Sequence, residues 1–165
     1  MWELKAISRD AIPEALAKAE RYRLLNEASE AESICEDVLR IDQENQQALI
    51  TLLLAITDQF EHGVPSSRAR EALPRLQTEY ERAYYGGIIW EREAKCELKH
   101  ARYGSGPIVY EALRKAMQLY ERAESVRPFG NDDALLRWNA CARLLMANPH
   151  VRPAEQTAPE PILSE

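Results

Sequence analysis

The stretch Ile12–Asn45, IPEALAKAERYRLLNEASEAESICEDVLRIDQEN, and the stretch that follows it, Gln46–Glu79, are each 34 residues long and begin and end in the same way. That length matches a repeat of two helices joined by a turn. One such unit cannot bury its apolar faces alone, so it must stack on its neighbours. Within the first window Ala15, Ala19 and Tyr22 recur at the helical period, with Asp10 placed to cap the helix and Pro13 inside its first turn. The helix is expected to end near Asn26. Ser29 followed by Glu32 reads as a capping box, and Ala31, Ile34, Cys35, Val38 and Leu39 mark the stripe of a second, antiparallel helix.

In the second window Asn45 caps a third helix. Ala48, Leu49, Leu52 and Ile56 form one stripe, and Ile50, Leu54 and Ala55 make the remainder apolar, so this helix should be sandwiched. Ser66 reads as the next cap, while Pro74 predicts a fourth helix that is short or bent near Leu73. Thr78 and Glu81 form a further capping box. Tyr80, Ala83, Tyr84, Gly87, Trp90, Ala94 and Leu98 then run helically to about Tyr103. Gly104-Ser105-Gly106-Pro107 is a turn that opens a sixth helix with Ala112, Leu113, Ala116, Tyr120 and Ala123 on one face, stopping before Pro128. Asn131-Asp132-Asp133 caps a last helix carrying Leu135, Trp138, Ala142 and Leu145, suited to a lid. Pro149, Pro153, Pro159 and Pro161 predict a disordered, Pro-rich tail over 148–165.

These residues resemble the tetratricopeptide repeat. Ala15, Ala19, Tyr22, Ala31, Cys35 and Val38 carry the likeness in the first window, with Leu39-Arg40-Ile41-Asp42 closing it and Gln43 in place of the usual Pro. Leu49, Leu52, Ile56, Ala69 and Ala72 carry it in the second, where Pro65 stands in place of a small helical residue. A third unit starts at Tyr80 with Gly87 and Trp90 in the small and aromatic places. It closes through Ala116, Tyr120, Ala123 and Pro128, about 17 residues late for the period. The resemblance implies an all-α superhelical array of αα-hairpins over residues 1–147: about seven helices, with an elongated last hairpin and a C-terminal capping helix.

It also implies a concave side, lined by the first helix of each unit, that receives an extended peptide or a helix of a partner protein. Carried over, the groove residues are Leu16, Glu20, Arg23, Ile50, Thr51, Leu54, Asp58, Tyr84, Tyr85, Ile88 and Arg92. Some members hold a C-terminal carboxylate with a clamp of cationic and amide side chains. The matching places here are Leu16, Glu20, Thr51, Glu81 and Tyr85, so no clamp is present and apolar anchors with side-chain hydrogen bonds are expected instead.

Composition narrows the function classes. The 29% charged content suits amphipathic helices, and a formal net charge of -6 without a Lys/Arg block argues against nucleic acid. No stretch approaches the roughly 20 apolar residues of a membrane span and no apolar leader opens the chain, which favours a cytoplasmic protein. Cys35, Cys96 and Cys141 lack a Cys-x-x-Cys spacing and read as buried free thiols on helices. His62, His100 and His150 form no metal motif, and Gly104-Ser105-Gly106 lacks the strand and Lys of a phosphate loop, so no cofactor is expected.

Gly86-Gly87 inside a helix implies close packing. Glu91 and Lys95 read as an i,i+4 pair on a solvated face, and Arg137 is placed to pair back to Asp133. The expected function is that of an adaptor or scaffold and not an enzyme, with Tyr85, Ile88, Leu54 and Ile50 as anchors. The alternative is a structural subunit of a homo-oligomer or larger complex. An enzyme would require Glu91, Arg92, Arg137 and Asn139 to converge on one pocket.

Overall fold

The computed structural model describes residues 1–155. Among them are seven α-helices: α1 (Ile12–Leu24), α2 (Ala28–Ile41), α3 (Gln46–Thr57), α4 (Ser66–Arg70), α5 (Glu79–Lys99), α6 (Gly106–Ser125) and α7 (Asp133–Ala147). Short 3-10 turns lie at Arg9–Ala11, Phe60–His62 and Leu73–Arg75. Packing follows chain order, α1 on α2, α2 on α3, α5 on α6 and α6 on α7, with further contact from α1 to α3 and from α3 to α4. Sequential pairing of this kind defines an all-α protein; a regular repeat or superhelix is not established by it. The last hairpin is elongated, α5 and α6 having 21 and 20 residues against 13 and 14 for α1 and α2.

Two expected caps form. The Asn45 side chain accepts the Ala48 N–H at 2.9 Å, and Thr78 Oγ1 accepts the Glu81 N–H at 3.1 Å, each worth about 1 kcal/mol. Others differ. A 3-10 turn over Arg9–Ala11 leads directly into α1, so Asp10 caps nothing. The capping box at Ser29 and Glu32 is absent because α2 starts at Ala28; Glu32 is instead buried and receives Gln59 and Arg68. Ser66 is the first residue of α4 and follows Pro65 in the cap position. Asn131, and not either aspartate after it, accepts the N–H of Asp133. α5 ends at Lys99, four residues before Tyr103.

α4 has only 5 residues. Pro74 lacks an N–H, and its ring would clash with the carbonyl four residues back, which belongs to Arg70, where the helix stops. The chain continues as the 3-10 turn Leu73–Arg75. α3 is apolar all round, as its sequence predicts, and buries Ala48, Leu49, Thr51, Leu53, Ala55, Ile56 and Thr57.

Three apolar clusters make the interior: one among α1, α2 and α3, one where α3 meets α4 and α5, and one among α5, α6 and α7. Tyr85 packs against all three and joins them. The segment after α7 also belongs to this interior. Val151 is buried, and Gly106 approaches the His150 carbonyl so closely that a Cβ would lie 2.5 Å from it. The expected mobile tail therefore does not begin at Asn148, and the rest of that expectation, residues 156–165, lies outside the described residues.

Gly87 has the close packing its position implied. A Cβ there would fall 2.5–2.9 Å from three ring carbons of Tyr120, which is fully buried, whereas one at Gly86 meets Leu119 Cδ1 at 3.3 Å. Gly87→Ala is expected to cost about 1–3 kcal/mol by overpacking, and Gly86→Ala to be near neutral because helix propensity offsets the tighter contact. Thermal melting of both variants checks this; equal melting temperatures would contradict the close approach.

Candidate functional site

α1, α3 and α5 supply one flank of the molecule, and there the sequence-predicted residues Arg23, Asp58 and Arg92 meet. Asp58 follows directly on α3 and takes Nε and Nη2 of Arg23 at 2.7 and 3.3 Å; Nη1 of Arg92 bonds to the same carboxylate and donates to Thr57 Oγ1 at 2.8 Å. All three are partly exposed and line a cavity of about 740 Å3 that also reaches Gln59, Phe60, Lys95 and Cys96. Two guanidinium groups share one carboxylate at the negative end of α3, so both retain N–H donors for an acidic ligand.

The apolar part of the predicted groove is not open. Leu16, Thr51 and Ile88 are 2%, 2% and 4% exposed, so these three are core residues and offer nothing to a partner. Ile50, Leu54, Tyr84 and Tyr85 are half-buried and packed against the apolar clusters, Tyr84 stacking on Tyr80 and meeting Tyr85 edge-on. Glu20 is exposed. The physical reason is α3: with apolar groups on every side, it draws the neighbouring helices onto itself and closes the space that a repeat-by-repeat assignment leaves open.

A second constellation escaped the sequence reading. Glu91, read as solvated, is 0% exposed. Its Oε2 accepts the Tyr120 hydroxyl at 2.6 Å, while Oε1 takes Lys95 Nζ at 2.5 Å and Arg137 Nη2 at 3.1 Å. The i,i+4 partner is as expected, but Arg137 reaches Glu91 and not Asp133. A signal existed: Tyr84, Gly87, Ile88 and Ala94 flank Glu91 at helical spacing, which puts it on the apolar stripe.

Burial, followed by the Glu91 charge, pushes the Tyr120 phenol far up. Burial works against the Arg137 charge, yet Glu91 and Tyr120 more than offset it and hold the guanidinium above its usual value. Arg137 Nε and Tyr80 Oη are buried without a hydrogen-bond partner among the described residues.

Glu91 lines neither the 740 Å3 cavity nor a neighbouring trough of about 580 Å3, which shares Phe60 and Cys96 with it. Of the four groups an enzyme would need together, only Glu91 and Arg137 meet; Arg92 turns to Asp58 and Asn139 is exposed. Among the described residues no group of three or more His, Cys, Asp or Glu is placed to hold a metal ion, and no helix is long and apolar enough to cross a membrane. No protein-family model, no curated protein and no solved structure matches the chain.

Burial sets the alkaline behaviour. It pushes the Cys35 and Cys141 thiols from 9.0 to about 12, and the Tyr85 phenol from 10.0 to about 12. The folded chain therefore holds more protons than the unfolded one between about pH 9 and 12, so stability falls as pH rises through that window and is unaffected by these groups below it. Urea midpoints measured from pH 7 to 11 should stay level on account of these groups to about pH 9 and then decline. A level midpoint to pH 11 would contradict their burial.

Proposed function

We propose that this chain is a helical-repeat adaptor of the tetratricopeptide kind, one repeat domain over residues 1–147, which receives a segment of a partner protein on the flank of α1, α3 and α5. The observation that carries this is the Arg23–Asp58–Arg92 set: α1, the C-terminal cap of α3 and α5 contribute one ionic group each to a single cavity of about 740 Å3. Because Leu16, Thr51 and Ile88 are buried, recognition rests less on apolar anchors than on the two arginines, which suit an acidic side chain of the partner. The remaining members of the groove, Glu20 and the edges of Ile50, Leu54, Tyr84 and Tyr85, would flank that contact. Free thiols at Cys35, Cys96 and Cys141 suit a reducing cytoplasm.

Affinity capture from the native host tests the proposal, with the bound proteins quantified for the unaltered chain and for Arg23→Glu. Arg23→Glu should lower capture of a specific partner about tenfold or more while the helical signal remains, as expected for an ionic contact at the centre of a binding site. Undiminished capture by Arg23→Glu would overturn the assignment to this flank.

A second reading, a structural subunit, draws support from Leu136 and Met146, which are 64% and 78% exposed on the terminal helix α7. Sedimentation separates the two: a monomer supports the adaptor, and a stable oligomer that Leu136→Glu dissociates supports the subunit.

A further inference from the structure

The trough of about 580 Å3 adjoins the cavity on the flank of α1, α3 and α5, with Phe60 and Cys96 lining both. Trp90 lines the trough and Arg92 lines the other cavity; two residues apart on one helix, they project to widely separated sides of α5. Its floor is Phe60, Val64, Trp90, Ala94, Ile108 and Ala112, and Ile108 is 62% exposed. Two cations, Arg70 and Lys115, lie over the Trp90 indole, each 4.3 Å from the ring centre.

The place of this trough follows from the shortness of α4. Leu73 lies near Gly86, and Arg70 pairs with Glu93, so the chain from Leu73 back to Arg70 advances along α5 from Gly86 to Glu93. Extended further in the same direction, α4 would lie over Glu97 and against the start of α6. It stops at Ser66, and there the trough opens, lined by Ser66, Glu97, Pro107 and Glu111. The site is thus a vacant stretch of helix position: α4 has 5 residues where α2 has 14.

Charge names the kind of occupant. Glu97 and Glu111 stand at the rim on α5 and α6, and neither has an ion-pair partner among the described residues, whereas Glu93 is already paired with Arg70. Lys115 also lines the trough, its ammonium over Trp90, so the unpaired charges there are two carboxylates against one cation. An apolar floor with this net acidic lining fits a helix with an apolar stripe bordered by Lys or Arg, and disfavours anionic lipid or nucleic acid. We propose that this trough docks an amphipathic, basic-edged helix of a partner protein, which completes the layer that α4 leaves short. The partner helix sets its apolar stripe on Ile108 and Val64 and its cations on Glu97 and Glu111.

A defined probe tests this: a fluorescein-labelled amphipathic peptide of about 14 residues, the length of α2, with Leu on one face and Lys along both borders, read by fluorescence anisotropy against the full chain. A counterpart carrying Glu for Lys is measured beside it. The lysine peptide should bind saturably and the glutamate peptide should not. Ile108→Glu, and separately Glu97→Lys with Glu111→Lys, should each weaken binding about tenfold or more, with circular dichroism unchanged.

Four results would overturn the proposal. These are no saturable binding, equal binding of both peptides, unaltered affinity of the Ile108→Glu chain, or binding that appears only when Ile162→Asp and Leu163→Asp remove the apolar pair of the chain's own C-terminal segment. A dimer that Ile108→Glu dissociates would likewise assign the trough to a second copy. The probe does not depend on the partner captured on the concave flank, so its failure leaves the proposed function standing.

Discussion

A carboxylate with no exposure to water holds the C-terminal half of this protein together. Removing an ionised group from solvent costs several kcal/mol, recovered only where the geometry supplies enough donors. Glu91 receives two hydrogen bonds, from Tyr120 on α6 and Lys95 on its own helix, and an ion pair with Arg137 on α7. Gly87, one turn before Glu91, belongs to the same device. Its missing side chain admits the Tyr120 ring, and the ring delivers its hydroxyl to the carboxylate. These polar contacts join α5 to α6 and α7 beside the apolar cluster around Ala134 and Cys141.

With α5 fixed, its other sides become available. Arg92 faces the ionic cavity with Arg23 and Asp58, and Trp90 faces the trough beside the short α4. Pro65 and Pro74 bracket α4 and keep it to 5 residues.

Periodicity made the helices legible. The stripe Ala31–Leu39, the all-round apolar α3 and the interruption at Pro74 each led to the observed element, and Asn45 and Thr78 cap as their spacing predicts. Elsewhere tertiary contact overrode local preference: Glu32 abandons a capping role for Arg68 and Gln59, and Arg137 passes over Asp133 for Glu91. The ionic members of the groove, Arg23, Asp58 and Arg92, did come together. Its apolar members did not remain open, because position in a repeat says nothing about how closely neighbouring helices approach. Glu91 was misread by its charge; its neighbours Gly87, Ile88 and Ala94 carried the better information.

A double-mutant cycle on Glu91 and Arg137 tests most directly whether the buried carboxylate ties α7 to the α5–α6 hairpin. Urea unfolding of Glu91→Gln, Arg137→Met and the combination would be compared with the unaltered chain. The account predicts that the combined loss falls short of the sum of the single losses by about 1 kcal/mol or more. Losses that add to within about 0.5 kcal/mol would contradict it, because the two side chains would then contribute independently.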